Sequence, residues 1–222
     1  MSRRDIPAAV LRSLVPPVWR ALPRRAPAAA AALGLLPAAA TRLSDHAPDA
    51  GLGLFVLRLT ALGGAVGLAF VLDDPARDTC ATTPIGRPVR TALRLAMAVP
   101  LTALWWTAAV LLVPSPTRPP LLPVTLQAAA ISAAALALAT TAVRFTDRAD
   151  VGRSAAVCLG TAAAVTVLVP DRWGLLATPA DPWWQAAQVR WAAVLLLTVA
   201  VCALWTPEPL GRRPVRGRRR TG

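Results

Sequence analysis

The sequence predicts an all-α membrane protein, a bundle of six transmembrane helices with both termini in the cytoplasm. Three observations predict it. Hydrophobic residues fill 55% of the 222 positions and charged residues only 16%, whereas a water-soluble domain carries roughly a quarter charged residues, interleaved with apolar ones. The apolar residues come in long runs, several of them reaching the roughly 17–25 residues that cross a hydrocarbon core as a helix. The arginines collect between alternate runs and leave the remaining connections nearly bare, the asymmetry that orients membrane helices.

The runs are taken in chain order. Residues 26–41 form the first, bounded by Arg25 and Arg42, rich in alanine and holding Pro37. Its 16 positions rise about 24 Å as a helix, short of the hydrocarbon thickness; the alternatives are a span with snorkelling arginines and a helix lying on the surface. Residues 50–72, 95–113 and 121–143 meet the length requirement directly. Residues 151–169 are interrupted only by Arg153 near one end, and 188–205 complete the set. Residues 1–25 form a basic cytoplasmic or interfacial segment, 26–206 the transmembrane domain and 207–222 a basic cytoplasmic tail.

Charge decides between five and six spans. With six, the N-terminal segment, the 73–94 connection, the 144–153 connection and the tail share one side and hold 6, 4, 3 and 6 arginines. The opposite side holds only Arg42, Arg118, Arg172 and Arg190. Omitting the first span would place the N-terminal arginines outside, against this bias. The net charge of +13 comes wholly from arginine, since lysine is absent. Its position beside apolar runs points to cytoplasmic anchoring rather than to nucleic acid. Arginine in place of lysine, with abundant alanine and proline, is the usage of a GC-rich, actinobacteria-like genome.

Within the spans a few residues stand out. Arg58 lies eight residues into the second run, about 12 Å from its start. It reads either as a charge on a pathway, or paired with an acid such as Asp45 or Asp49, or as a side chain snorkelling to the outer interface. Gly63 and Gly67 make a GxxxG pair beside Gly64, suited to close helix packing within the chain or at a dimer face. Pro100 and Pro123 are candidate kinks. Gln127 suits a helix–helix hydrogen bond. Trp173, Trp183, Trp184 and Trp191 mark the connection before the last span as an interfacial element at headgroup level. On the inner side Asp73, Asp74, Arg77 and Asp78 give a charged face, either a docking surface for a cytoplasmic partner or a solvated turn.

The missing residues exclude several chemistries. Without lysine the chain builds no phosphate-binding loop ending in Gly-Lys-Ser/Thr. A single histidine, His46, excludes multi-histidine zinc sites, and no Gly-x-Ser-x-Gly elbow occurs. No catalytic residue, cofactor or metal is expected. The 73–94 stretch faintly resembles the motif of the CDP-alcohol phosphatidyltransferases through Ala76, Arg77 and Gly86. Arg90 and Arg94, however, stand where that motif needs aspartates, and arginines repel the metal ions those carboxylates hold.

A second resemblance runs from Leu59 to Pro114, about a quarter of the chain. The residues LDDPARDT (Leu72 to Thr79), Pro84, Arg87 and Arg94, and PLTALWW (Pro100 to Trp106) are similar to a family of small actinobacterial membrane proteins of the ABC transporter permease-like type. The layout also resembles ABC-2-type permeases, which have an interfacial N-terminal helix, six spans, a coupling loop between spans two and three, and an outer re-entrant element between spans five and six. The resemblance implies a non-catalytic plasma-membrane subunit beside a separate cytoplasmic ATPase, as a homodimer or with a second permease. Other expectations that the sequence leaves open are an accessory or structural membrane protein and a membrane-embedded transferase.

Overall fold

The computed structural model describes residues 25–43, 49–70, 87–145, 151–170 and 172–205. Among these the chain is entirely helical. The helices are α1 (Arg25–Leu43), α2 (Ala50–Ala69), α3 (Arg87–Leu112), α4 (Leu121–Phe145), α5 (Val151–Leu168) and α6 (Trp184–Trp205). A 3-10 turn, Ser115–Thr117, joins α3 to α4. Four helices, α2, α4, α5 and α6, are long and apolar enough to cross a membrane, while α1 and α3 carry shorter apolar stretches, Ala28–Leu43 and Ala96–Leu112. The fold is that of an all-helical membrane protein.

The helices start and stop for local reasons. Asp49 caps α2: its carboxylate accepts the Leu52 N–H at 2.6 Å, satisfying one of the free donors of a first turn. Pro123 is the third residue of α4, where the first turn has no hydrogen bond for proline to remove, so the bend expected there has no cause. Pro100 and Pro37 do lie inside α3 and α1. Hydroxyls within α3 bond back to their own backbone, Thr102 to the Ala98 carbonyl and Thr107 to the Ala103 carbonyl, both at 2.8 Å, so this helix carries these threonines with their polar groups satisfied.

Two boundaries differ from the sequence reading. The third helix begins at Arg87 rather than near residue 95. Arg87, Arg90 and Arg94 recur at the three- and four-residue spacing of a helix, and Pro88 fits a first turn. A charged run that looks like a loop by hydropathy thus continues the span as helix. The last helix begins at Trp184 rather than 188, its first turn drawn into the bundle by burial of Trp184 and Ala187.

The core lies between α2 and α4. Of its apolar window α2 buries 56%, against 11% for α6, so α2 is a central staff and α6 presents most of its surface outward. α2 touches α1, α3, α4, α5 and the 3-10 turn, whereas α6 packs on α4. The buried side chains of α4 are mostly alanine (Ala128, Ala130, Ala135, Ala137 and Ala139), and short side chains let neighbouring helices approach closely where lipid supplies no hydrophobic drive for association.

The helices α1 and α2 cross closely at two glycines. A side-chain carbon built on Gly63 would lie 2.7 Å from the Gly34 Cα, so only the absence of side chains permits this crossing. Gly64 receives the ring of Trp105 from α3. The indole of Trp105 donates to the Ala31 carbonyl of α1 at 3.0 Å, tying three helices at one notch.

Candidate functional site

The end of α1, the start of α2, the turn between α3 and α4 and the segment before α6 meet at one end of the bundle. There Arg42 at the end of α1 reaches the last carbonyls of α3, and Arg58 of α2 reaches the segment before α6. Among the described residues, this end gathers the hydrogen-bonded arginines Arg42, Arg58, Arg118 and Arg190.

At its centre is Arg58. Its Nε donates to Gln127 Oε1 of α4 at 2.9 Å, its Nη1 to the Leu176 carbonyl at 2.9 Å and its Nη2 to the Ala177 carbonyl at 2.7 Å. The acid pairing foreseen at Asp49 does not occur, because that carboxylate caps α2; Asp45 lies outside the described residues. A guanidinium presents its donors in a planar fork, and here the fork is matched to three neutral oxygens from two different elements.

Residues 172–183 form a strap over this end. Arg190, on α6, donates to the Gly174 carbonyl at 2.9 Å and the Arg172 carbonyl at 2.7 Å and lies 5.8 Å over the Trp173 ring, within cation–π range. The Trp191 indole donates to the Leu175 carbonyl at 2.9 Å. The carbonyls of 172, 174, 175, 176 and 177 are thus held by side chains of α2 and α6, as irregular backbone packed against a helix bundle requires. The strap ends in a turn in which Asp181 accepts the Thr178 N–H at 2.6 Å and its hydroxyl at 2.9 Å. These two bonds, with a smaller contribution from the Arg58 charge, hold the Asp181 carboxyl below its ordinary range.

Two more arginines act in the same way. Arg42 donates to the Leu112 and Leu111 carbonyls, each at 2.6 Å, and Arg118 to the Val113 carbonyl at 2.9 Å. Together they satisfy the carbonyls of residues 111, 112 and 113 where α3 ends. Arg42, Arg118 and Arg190, three of the four arginines standing against the positive-inside count, are therefore fixed to backbone oxygens.

Gln127 is 1% exposed. Its Oε1 accepts from Arg58, which fixes the orientation of the amide, and its Nε2 has no partner. Thr60 Oγ1 and both amide atoms of Gln188 are likewise buried and unpartnered. Among the described residues no group of three His, Cys, Asp or Glu side chains gathers.

The other singled-out residues fall as follows. Gly63 faces Gly34 within the chain, and Gly67 is buried in α2, its carbonyl accepting the Phe70 N–H that ends the helix. The four tryptophans divide: Trp173 and Trp183 are 65% and 46% exposed, while Trp184 and Trp191 are buried at the α6 contact, which composition at a shared level does not distinguish. Asp73, Asp74, Arg77 and Asp78 lie outside the described residues. The Arg58 partners in the strap are 118 and 119 positions away, and no local sequence signal points to them.

Fold and site define a helical membrane protein with a strapped polar centre near one end. Compared with known proteins, the chain matches no family model, no curated protein and no solved structure.

Proposed function

We propose that the chain is a multi-pass plasma-membrane subunit, permease-like and non-catalytic, of an ATP-binding-cassette transporter whose ATP hydrolysis resides in a separate cytoplasmic ATPase. The observation that carries this reading is the strap between α5 and α6, folded back onto the bundle and held over Arg58 and Gln127. An outer element between the fifth and sixth helices, above a polar interior, is what an ABC-2-type permease layout calls for. In this reading both termini are cytoplasmic, and the 71–86 connection, with Asp73, Asp74, Arg77 and Asp78, receives the ATPase. The protein acts as a homodimer or beside a second permease.

Affinity purification from native membranes tests it. Recovery of an ATPase with the wild-type chain, and its loss in the Asp73→Arg/Asp74→Arg variant, supports the subunit reading; recovery of no ATPase overturns it. A second reading, an accessory or structural membrane protein without a transport path, draws support from the arginines at the strap end. Arg42, Arg58, Arg118 and Arg190 all bond to backbone carbonyls, as fixed fastenings do.

A further inference from the structure

The donor count around Arg58 is unbalanced. A guanidinium has five N–H donors and a primary amide two. Arg58 directs three bonds, to Gln127 Oε1 and the Leu176 and Ala177 carbonyls, and the Gln127 Nε2 directs none. The amide nitrogen adjoins its own oxygen, so its free donors stand beside the guanidinium. Among the described residues no carboxylate pairs with Arg58. Asp49 is committed to capping α2 and Asp181 to the Thr178 turn. The site therefore combines one positive charge with surplus donors. Neutral carbonyls satisfy hydrogen bonds, and among the described residues the charge is offset only in part, by the Asp181 carboxylate held in the Thr178 turn, an expensive arrangement inside an apolar bundle.

We propose that this polar centre binds a small oxyanion, a carboxylate or phosphate group, with the Arg58 guanidinium and the Gln127 Nε2 amide as its donors and the strap as its cover. Such an anion is acceptor-only, matches the fork of the guanidinium and makes charge-assisted bonds about twice as strong as those to neutral carbonyls. Water fits the inventory less well, because it brings donors to a site that already has too many. Binding displaces the Leu176 and Ala177 carbonyls from the guanidinium, while the 172, 174 and 175 carbonyls stay held by Arg190 and Trp191. The proposal stands whichever functional reading holds.

The test uses the purified full chain in maltoside detergent and phosphate-free buffer, titrated separately with sodium phosphate and sodium acetate while thermal unfolding is followed. The wild type shows a saturable rise of about 5 °C at a hundred times the half-saturating concentration of at least one anion, and Arg58→Gln shows none. Gln127→Glu supplies the carboxylate internally: it melts above the wild type without added anion and no longer responds to either. Repetition in phosphatidylcholine nanodiscs separates the sources. A response lost only there assigns the site to a lipid phosphate; a response kept there assigns it to a free anion. No anion response in detergent, an equal response in Arg58→Gln, or a Gln127→Glu variant that melts below the wild type overturns the proposal.

Discussion

Gly63→Ala and Gly160→Ala are the same chemical change in two helices, and the structure gives them opposite signs. At Gly63 the added carbon would lie 2.7 Å from the Gly34 Cα, where ordinary contact is 3.4–4 Å. The obstacle is backbone, so relief requires α1 to move as a unit or α2 to rotate, and the Trp105 bond to the Ala31 carbonyl resists both. Overpacking of this kind costs about 1–3 kcal/mol, and alanine returns at most about 1 kcal/mol of helix propensity. The net is a loss of about 1–2 kcal/mol. At Gly160 nothing lies within 4 Å, so the methyl meets no protein and the change is neutral or stabilising by up to about 1 kcal/mol. Equilibrium unfolding of each variant in mixed micelles reads the difference. A Gly63→Ala variant as stable as the wild type, or a Gly160→Ala variant less stable than Gly63→Ala, refutes the packing argument.

Asp181 gives a pH prediction. Its folded-state carboxyl titrates below the ordinary 3.8, so its contribution is present above that value and is lost as the pH falls through the folded-state one. Asp181→Asn flattens this part of the acid limb of stability, measured by thermal unfolding between about pH 5 and pH 2; an unchanged limb refutes it. Orientation is testable by labelling. In a cysteine-free background, cysteines at the exposed positions Ser115 and Ala180 react with an impermeant maleimide added outside intact cells, and one past Arg212 does not; the reverse pattern refutes cytoplasmic termini.

Run length and arginine placement made the helices legible, because a bilayer demands continuous apolar stretches and little else. The start of α3 was not, since Arg87, Arg90 and Arg94 interrupt hydropathy without interrupting helical periodicity. Arg58 and Gln127 were each visible as unusual inside a span. Their bond joins residues 69 positions apart, however, and nothing local encodes which helices become neighbours. The same holds for Gly34: the Gly63–Gly67 pair announces close packing, but its partner is one glycine in an alanine-rich helix. Tryptophan content suggested an interface at the strap; which rings turn inward depends on helix rotation, which composition does not carry.

The strap is fastened through its main chain, so what its anchors recognise is the spacing of oxygens along the backbone and not the letters attached to them. Replacing Leu175 or Leu176 with another residue leaves every anchored oxygen in place, whereas deleting one residue there shifts the oxygens out of phase with Arg58, Arg190 and Trp191 together. Related chains are therefore free to diverge in strap composition while holding its length constant.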